Sequence, residues 1–272
     1  MNRFRRQFIF GVLVLIAASV AALWAHTRFS RALPDYAFLT GWILFAAMLV
    51  LTFYNARKKL PFLPLGNAEL WLQIHIYLGL FIALLFFIHL NFRAPRSGFE
   101  ITLTTLFALV TISGIVGLLF SRVLPRRLAT RGGEVIFEKI PALRHALKSE
   151  AESLALNADK PSPVIAEFYA RRLAPFFAGP KNFWLHVAES RRPLHALLAE
   201  LEDLRRFVTE QERATLEKLA ALVRQKDGLD YHRALQLALK LWLFVHIPLT
   251  YGLLIFTLLH IVLVFGFSGG AR

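Results

Sequence analysis

The stretch WLQIHIYLGLFIALLFFIH, Trp71–His89, decides the fold of this chain. It is apolar enough to lie inside a lipid bilayer, yet it carries two histidines, His75 and His89, fourteen residues apart. A helix of about 20 apolar residues crosses a hydrocarbon core of about 30 Å. The stretch therefore predicts a transmembrane helix. Because a titratable ring is costly in hydrocarbon, its histidines predict a functional site.

Four other apolar runs have a similar length. The chain has 272 residues, of which 56% are hydrophobic, and its mean hydropathy of +0.51 exceeds that of an ordinary soluble domain. The five runs predicted to span a membrane are residues 8–25, 36–54, 70–92, 99–120 and 241–267. We therefore predict an all-α integral membrane bundle. Its parts are spans one to four at 1–121, a helical cytoplasmic insertion at 122–238, and the fifth span with a tail at 239–272.

The formal charge of +14 is distributed unevenly between the ends of the spans. One side holds Arg3, Arg5, Arg6, Arg57, Lys58, Lys59, Arg122, Arg126, Arg127 and Arg131, and the other holds only Arg28, Arg31, Arg93, Arg96 and Arg272. The positive-inside rule predicts a multi-pass protein of the bacterial inner membrane, with the N-terminus and the long loop in the cytoplasm. The first run is read as a retained anchor rather than a cleaved signal peptide. Contact with anionic lipid explains the charge, so nucleic acid is not an expected partner.

The insertion carries local helix signals. Ser162 and Pro163 predict a helix start, and the sequence from Thr209 to Glu212 reads as a capping box. Gly228 is predicted to stop that helix and Asp230 to cap the next one, which runs into the fifth span. The run HALKSEAESLALNADKPSPV indicates helix, linker, helix, and no nucleotide-binding motif is present. Apolar spacing predicts two packed helix faces, at Leu194, Leu197, Leu198, Leu201 and Leu204 and at Leu216, Leu219, Ala220 and Val223.

The fifth span repeats the pattern of the opening stretch. WLFVHIPLTYGLLIFTLLH, Trp242–His260, matches it at an offset of 171, so W-x3-H-x13-H occurs twice. Fourteen residues are nearly four helical turns, which places both histidines of a span on one face, about 21 Å apart. The two spans run in the same direction across the membrane. We therefore expect His75 to face His246 near the cytoplasmic side and His89 to face His260 near the outer side.

Each such pair is suited to clamp one planar metal cofactor between two helices. Imidazole is a common axial ligand of haem iron, and two opposed imidazoles favour electron transfer over binding at the metal. The chain has no cysteine, so a haem held here is non-covalent, that is, b-type. We expect two haem b groups at different depths, forming an electron pathway through the membrane.

The paired H-x13-H on parallel helices resembles the di-haem cytochrome b proteins, including the b-type membrane subunits of bacterial respiratory oxidoreductases. The resemblance covers the third and fifth spans, and the long loop before the fifth span departs from it. It implies that His75, His89, His246 and His260 are axial haem ligands. It also implies a subunit of a respiratory oxidoreductase, which moves electrons between the quinone pool and a periplasmic c-type cytochrome or iron–sulfur subunit. A quinone is a further candidate ligand.

Two more residues are candidate cofactor contacts. Gly79 follows His75 by one turn and would let a haem plane approach the backbone, although helix packing explains it equally. Arg93 follows His89 by one turn and would pair with a haem propionate, although a topology-setting arginine looks the same. Two other functions stay open. One is a cofactor-free assembly or scaffold protein with structural histidines, and the other is a quinone- or metal-reducing enzyme that works alone.

Overall fold

The computed structural model describes residues 3–59, 67–130, 135–156 and 162–268. The described residues are 88% helical, and they contain no β-strand. Five helices are long and apolar enough to cross a membrane. The predicted all-α class with five membrane-length helices is therefore confirmed, as expected for a multi-pass membrane protein. Arg131, Arg272 and the predicted linker at residues 157–161 lie outside the described residues.

The helices follow one another along the chain with short connections. In order they are α1 (Arg3–Phe29), α2 (Tyr36–Lys59), α3 (Ala68–His89), α4 (Gly98–Thr130), α5 (Ile140–Leu156), α6 (Pro163–Phe168), α7 (Ala174–Phe177), α8 (Phe183–Val187), α9 (Arg192–Asp203) and α10 (Glu210–Ser268). A 3-10 turn, Phe137–Lys139, precedes α5, and a π-helical turn, Tyr169–Leu173, joins α6 to α7.

The chain forms two compact units. The first, called here the membrane unit, comprises Met1–Leu119 and Leu243–Arg272, and the second, the insertion unit, comprises Phe120–Trp242. The core of the membrane unit lies between α2, α3, α4 and α10 and includes Leu44, Met48, Ile82, Leu85, Phe86, Phe107 and Leu253. Outside that core the helices expose large apolar side chains, such as Phe10, Phe244 and Val262. An exposed apolar surface of this kind is what contact with lipid requires.

The insertion unit has its own apolar core, formed by α5, the α6–α7 run, α9 and the first half of α10. The predicted periodic residues Leu197, Leu201, Leu216, Leu219 and Val223 are all buried in it. One half of the predicted capping box is present, because the Glu212 carboxylate accepts a hydrogen bond from the Thr209 backbone nitrogen at 2.7 Å. The same carboxylate also accepts a hydrogen bond from the Thr209 hydroxyl at 2.9 Å. Ser162 and Pro163 begin α6, as predicted.

The predicted helix boundary at Gly228 and Asp230 is wrong. α10 is continuous over 59 residues and passes through both positions. A glycine inside a helix costs only about 1 kcal/mol relative to alanine, which the burial of apolar neighbours such as Leu222 and Tyr231 outweighs. The Asp230 carboxylate does not cap a helix. It is buried, pairs with Lys226 and accepts a hydrogen bond from the Lys181 backbone nitrogen at 3.0 Å.

Candidate functional site

The structure brings His89 and His260 together in the membrane unit. His89 is the last residue of α3, and His260 lies in the apolar part of α10. Their ring centres are 6.3 Å apart, and the ring planes are perpendicular at 90°. A metal–imidazole bond is about 2 Å long, so two imidazoles on opposite sides of one metal have ring centres separated by about 6 Å. The observed separation therefore fits an axial pair.

The two rings line a cavity of about 320 Å³, called here the outer cavity. Its wall is mostly apolar and comes from α2, α3, α4 and α10, with Gly41, Met48, Phe86, His89, Glu100 and His260 among its residues. The ring of Phe99 is stacked on His260 with centres 6.3 Å apart and planes 13° apart. The cavity therefore combines apolar walls with a small number of convergent polar groups, the composition typical of a cofactor site.

α2 positions the His89 ring through two consecutive residues, Thr40 and Gly41. The Thr40 hydroxyl lies 3.3 Å from His89 Nδ1, and it also lies 3.0 Å from the carbonyl oxygen of Ala37. The ring passes so close to Gly41 that a Cβ there would lie 3.1 Å from His89 Cε1. A larger residue at this position would press on the imidazole.

The Thr40 contacts suit one tautomer of His89. The Thr40 hydroxyl has one hydrogen, and the Ala37 carbonyl oxygen lies within reach to accept it. With the hydrogen on that side, the Thr40 oxygen accepts a proton from His89 Nδ1. This arrangement leaves the Nε2 lone pair for a metal, and a hydrogen-bonded Nδ1–H is the usual state of a histidine ligand.

The two inner histidines take neighbours from different helices. His246 Nδ1 lies 3.2 Å from the Ser113 hydroxyl of α4, and a Cβ at Gly114 would lie 3.9 Å from His246 Cε1. The ring of His75 lies against Tyr54 of α2, with centres 5.0 Å apart. A hydroxyl residue followed by glycine therefore contacts one histidine of each predicted pair, Thr40-Gly41 at His89 and Ser113-Gly114 at His246.

These neighbouring residues were not identified from the sequence. The signal was present, because Thr-Gly in the second span and Ser-Gly in the fourth are similar dipeptides within apolar runs. Which helix face meets which histidine depends on the rotation of each helix, and that is not visible in the sequence. Gly79, the glycine proposed from the sequence as a haem contact, faces Leu51 of α2, and a Cβ at Gly79 would lie 4.0 Å from Leu51 Cδ1.

Arg93 lies at a second cavity of about 560 Å³, called here the side cavity. Its wall includes Phe86, Phe87, Arg93, Thr104, Phe107 and Thr111. Phe86 and Phe107 also line the outer cavity, and their rings are stacked 3.9 Å apart with planes 10° apart. The stacked pair is thus a shared wall between the two cavities. Pairing of Arg93 with a haem propionate stays a prediction.

The described residues include no group of three or more His, Cys, Asp or Glu side chains placed to hold a metal ion. An axial haem pair needs only two protein ligands. Comparison of the chain with protein-family models, with curated proteins and with solved structures finds no match.

Proposed function

We propose that this protein is a di-haem b-type membrane cytochrome that carries electrons across the bacterial inner membrane. The observation that carries the proposal is the His89–His260 pair, with ring centres 6.3 Å apart at the wall of an apolar cavity. A haem held by two imidazoles supplies one-electron transfer without an open position at iron. In this proposal His89 and His260 hold the outer haem, and His75 and His246 hold the inner one.

The residues around the histidines support this assignment. The Thr40 hydroxyl lies 3.3 Å from His89 Nδ1, and a proton held there would leave Nε2 for the iron. Phe99 restrains the His260 ring by stacking on it. The equivalent Ser113–Gly114 contact at His246 supports a second site of the same kind. Side chains that fix a histidine in one orientation are characteristic of metal ligation and are not needed for helix packing alone.

The side cavity is the proposed site of the quinone. Its wall is largely apolar, as an isoprenoid quinone requires, and Arg93, Thr104 and Thr111 offer donors to quinone oxygens. Phe86 and Phe107 line both cavities, so the two cavities are neighbours, as short-range electron transfer requires. The chain would then act as a subunit of a respiratory oxidoreductase, whose outer partner is a periplasmic c-type cytochrome or iron–sulfur subunit.

The test is a count of haem in the purified protein. Dithionite-reduced minus oxidised absorption and a pyridine haemochrome assay are expected to give two b haems per chain. His89→Leu is expected to lower the count to one. His26→Leu is the matched control, because His26 lies at the end of α1 among the rings of Tyr36 and Phe92, and it is expected to keep both haems.

The other outcomes separate the competing functions. If haem-replete, folded protein contains no haem, the cytochrome proposal fails and a cofactor-free scaffold becomes the better explanation. If His89→Leu retains two haems, the outer pair is misassigned. Reduction of the haems by a quinol in the isolated protein would favour an enzyme that works alone over a passive subunit.

A further inference from the structure

The segment between α4 and α5 contacts α10 just before the apolar part of that helix begins. The Gln236 side-chain nitrogen donates a hydrogen bond to the Val135 carbonyl oxygen at 2.9 Å. Lys240 Nζ lies 3.1 Å from a Glu138 oxygen and 3.7 Å from the centre of the Phe137 ring. Because positions four residues apart share one helix face, these contacts hold the segment along a single face of α10.

The position of these contacts along α10 gives the depth of the segment relative to the point where the helix enters the membrane. The apolar run starts at Leu241. At 1.5 Å per residue, Gln236 lies about 8 Å and Lys240 about 2 Å before that start along the helix axis. The headgroup layer on each side of a bilayer is about 5–8 Å thick. The segment at residues 135–139, called here the interfacial segment, is therefore level with the inner headgroups.

The interfacial segment exposes an apolar side chain at that level. Ile136 is 54% exposed, and it lies between Val135 and Phe137, the two residues tied to α10. The next helix starts at Ile140, which is 0% exposed and fixes the far end of the segment. Removing an exposed isoleucine side chain from water is favourable in proportion to the apolar area that is covered. Lys139 is exposed beside it and carries a charge that attracts anionic lipid.

We propose that the interfacial segment is a membrane-surface anchor. It lies in the headgroup layer of the leaflet that the inner ends of the spans reach, with Ile136 inserted to the acyl boundary and Lys139 at the anionic headgroups. The bilayer is the occupant because the segment is tied to the helix that enters it, within one or two turns of the point of entry. This proposal does not depend on whether the histidines hold haem.

The test uses the absence of cysteine in the chain. Ile136→Cys carries a spin label in the full-length protein, reconstituted in nanodiscs that contain an anionic phospholipid. Phe207→Cys is the matched control, because Phe207, like Ile136, is a large apolar side chain exposed at the surface, at 72%. Phe207 lies three residues before the start of α10 at Glu210, and that start is about 46 Å along the helix from Leu241.

The measurement compares how often the spin label collides with oxygen, which partitions into lipid, and with a nickel chelate, which stays in water. The ratio of oxygen to nickel accessibility is expected to be several-fold higher at position 136 than at position 207. For a label at Lys139→Cys, the second variant, the ratio is expected to lie between the values at positions 136 and 207. Equal ratios at 136 and 207 would place the segment in water and overturn the proposal. Protection of position 136 from both reagents would show that protein covers it, which overturns the lipid assignment as well.

Discussion

The hydroxyl of Thr40 has one hydrogen, and the direction of that hydrogen determines the state of His89. The carbonyl oxygen of Ala37 is 3.0 Å from the hydroxyl oxygen and His89 Nδ1 is 3.3 Å from it. The backbone can only accept, so a hydroxyl that donates to it leaves its oxygen to accept a proton from the imidazole. Thr40 of α2 thus offers His89 a partner that would leave Nε2 for a metal.

At the residue scale we therefore predict a specific effect of Thr40→Val. The substitution keeps the shape of the side chain but removes the acceptor for the Nδ1 proton, so the imidazole becomes a weaker donor to the metal. Loss of such a partner typically lowers metal affinity by about 10- to 100-fold. The affinity of the outer haem is expected to fall within that range, and its reduction potential to rise, because the oxidised iron loses more stabilisation than the reduced iron.

Thr40→Ser is the matched control for this prediction. Serine keeps the hydroxyl, so haem retention and a redox titration are expected to resemble those of the parent protein. Valine replaces the hydroxyl of threonine with a methyl group, whereas serine keeps the hydroxyl and lacks the methyl group. If the valine and serine variants titrate alike, the hydroxyl does not position His89, and the contact is incidental packing.

At the scale of helices, α10 is unusual in burying charge within its length. Lys226 and Asp230 pair one turn apart, with side chains 0% and 1% exposed, and Lys226 also donates to the Gly179 carbonyl oxygen at 2.9 Å. Arg144 of α5 lies 3.3 Å from the same carboxylate. Burial lowers the pKa of the Arg144 guanidinium, and the charge of Asp230 opposes that shift. One carboxylate therefore contacts both buried cations, and buried Asp227 adds a weaker attraction to Lys226.

We predict from this asymmetry that Asp230→Asn destabilises the insertion unit more than Lys226→Met does. Asparagine removes the carboxylate that both buried cations contact, and breaking a buried pair in this way costs about 3–5 kcal/mol. Methionine leaves Asp230 paired with Arg144, so the loss is expected to be smaller. The full-length protein is unfolded with denaturant in detergent, and the susceptibility of the insertion unit to proteolysis reports the fraction that is unfolded.

Arg213→Ala is the control on the same helix. Arg213 pairs with Glu210 at the surface, where the two side chains are 46% and 84% exposed, and such pairs contribute about 0–1 kcal/mol. Its unfolding curve is expected to lie close to that of the parent. A curve for Asp230→Asn that overlies that of Arg213→Ala would mean that the buried charges are not a stabilising cluster.

The sequence predicts some elements of this fold well because their causes are local. The five apolar runs depend only on hydropathy, and the Thr209–Glu212 capping box closes within four residues. The stop at Gly228 was predicted wrongly because its neighbours on α10 are stabilised by distant parts of the chain. For the same reason Thr40 and Ser113 were missed. Each acts on a histidine of another helix, and no local pattern encodes how two helices face each other.

At the scale of the whole molecule, the charges at the ends of the spans encode orientation. Residues 3–6, 57–59 and 122–131 carry ten arginines and lysines, whereas residues 28–31, 93–96 and 272 carry five. The longest loop belongs to the richer side, and it holds 21 basic and 15 acidic residues between Arg122 and Lys240. Short loops and residues close to the spans dominate the positive-inside rule, so the clusters next to the helices matter more than the insertion itself.

We therefore predict that the insertion unit is cytoplasmic and the C-terminus periplasmic. Alkaline phosphatase needs disulfides and is active only in an oxidising compartment, so its fusion to the C-terminus is expected to be active and its fusion between residues 157 and 161 inactive. Green fluorescent protein at the same two positions is the matched control and is expected to give the reverse pattern. The opposite result at both positions would invert the protein in the membrane. It would then place the His89–His260 pair on the cytoplasmic side, where a periplasmic electron partner cannot reach it. The fusions therefore test the predicted orientation and the proposed periplasmic partner together.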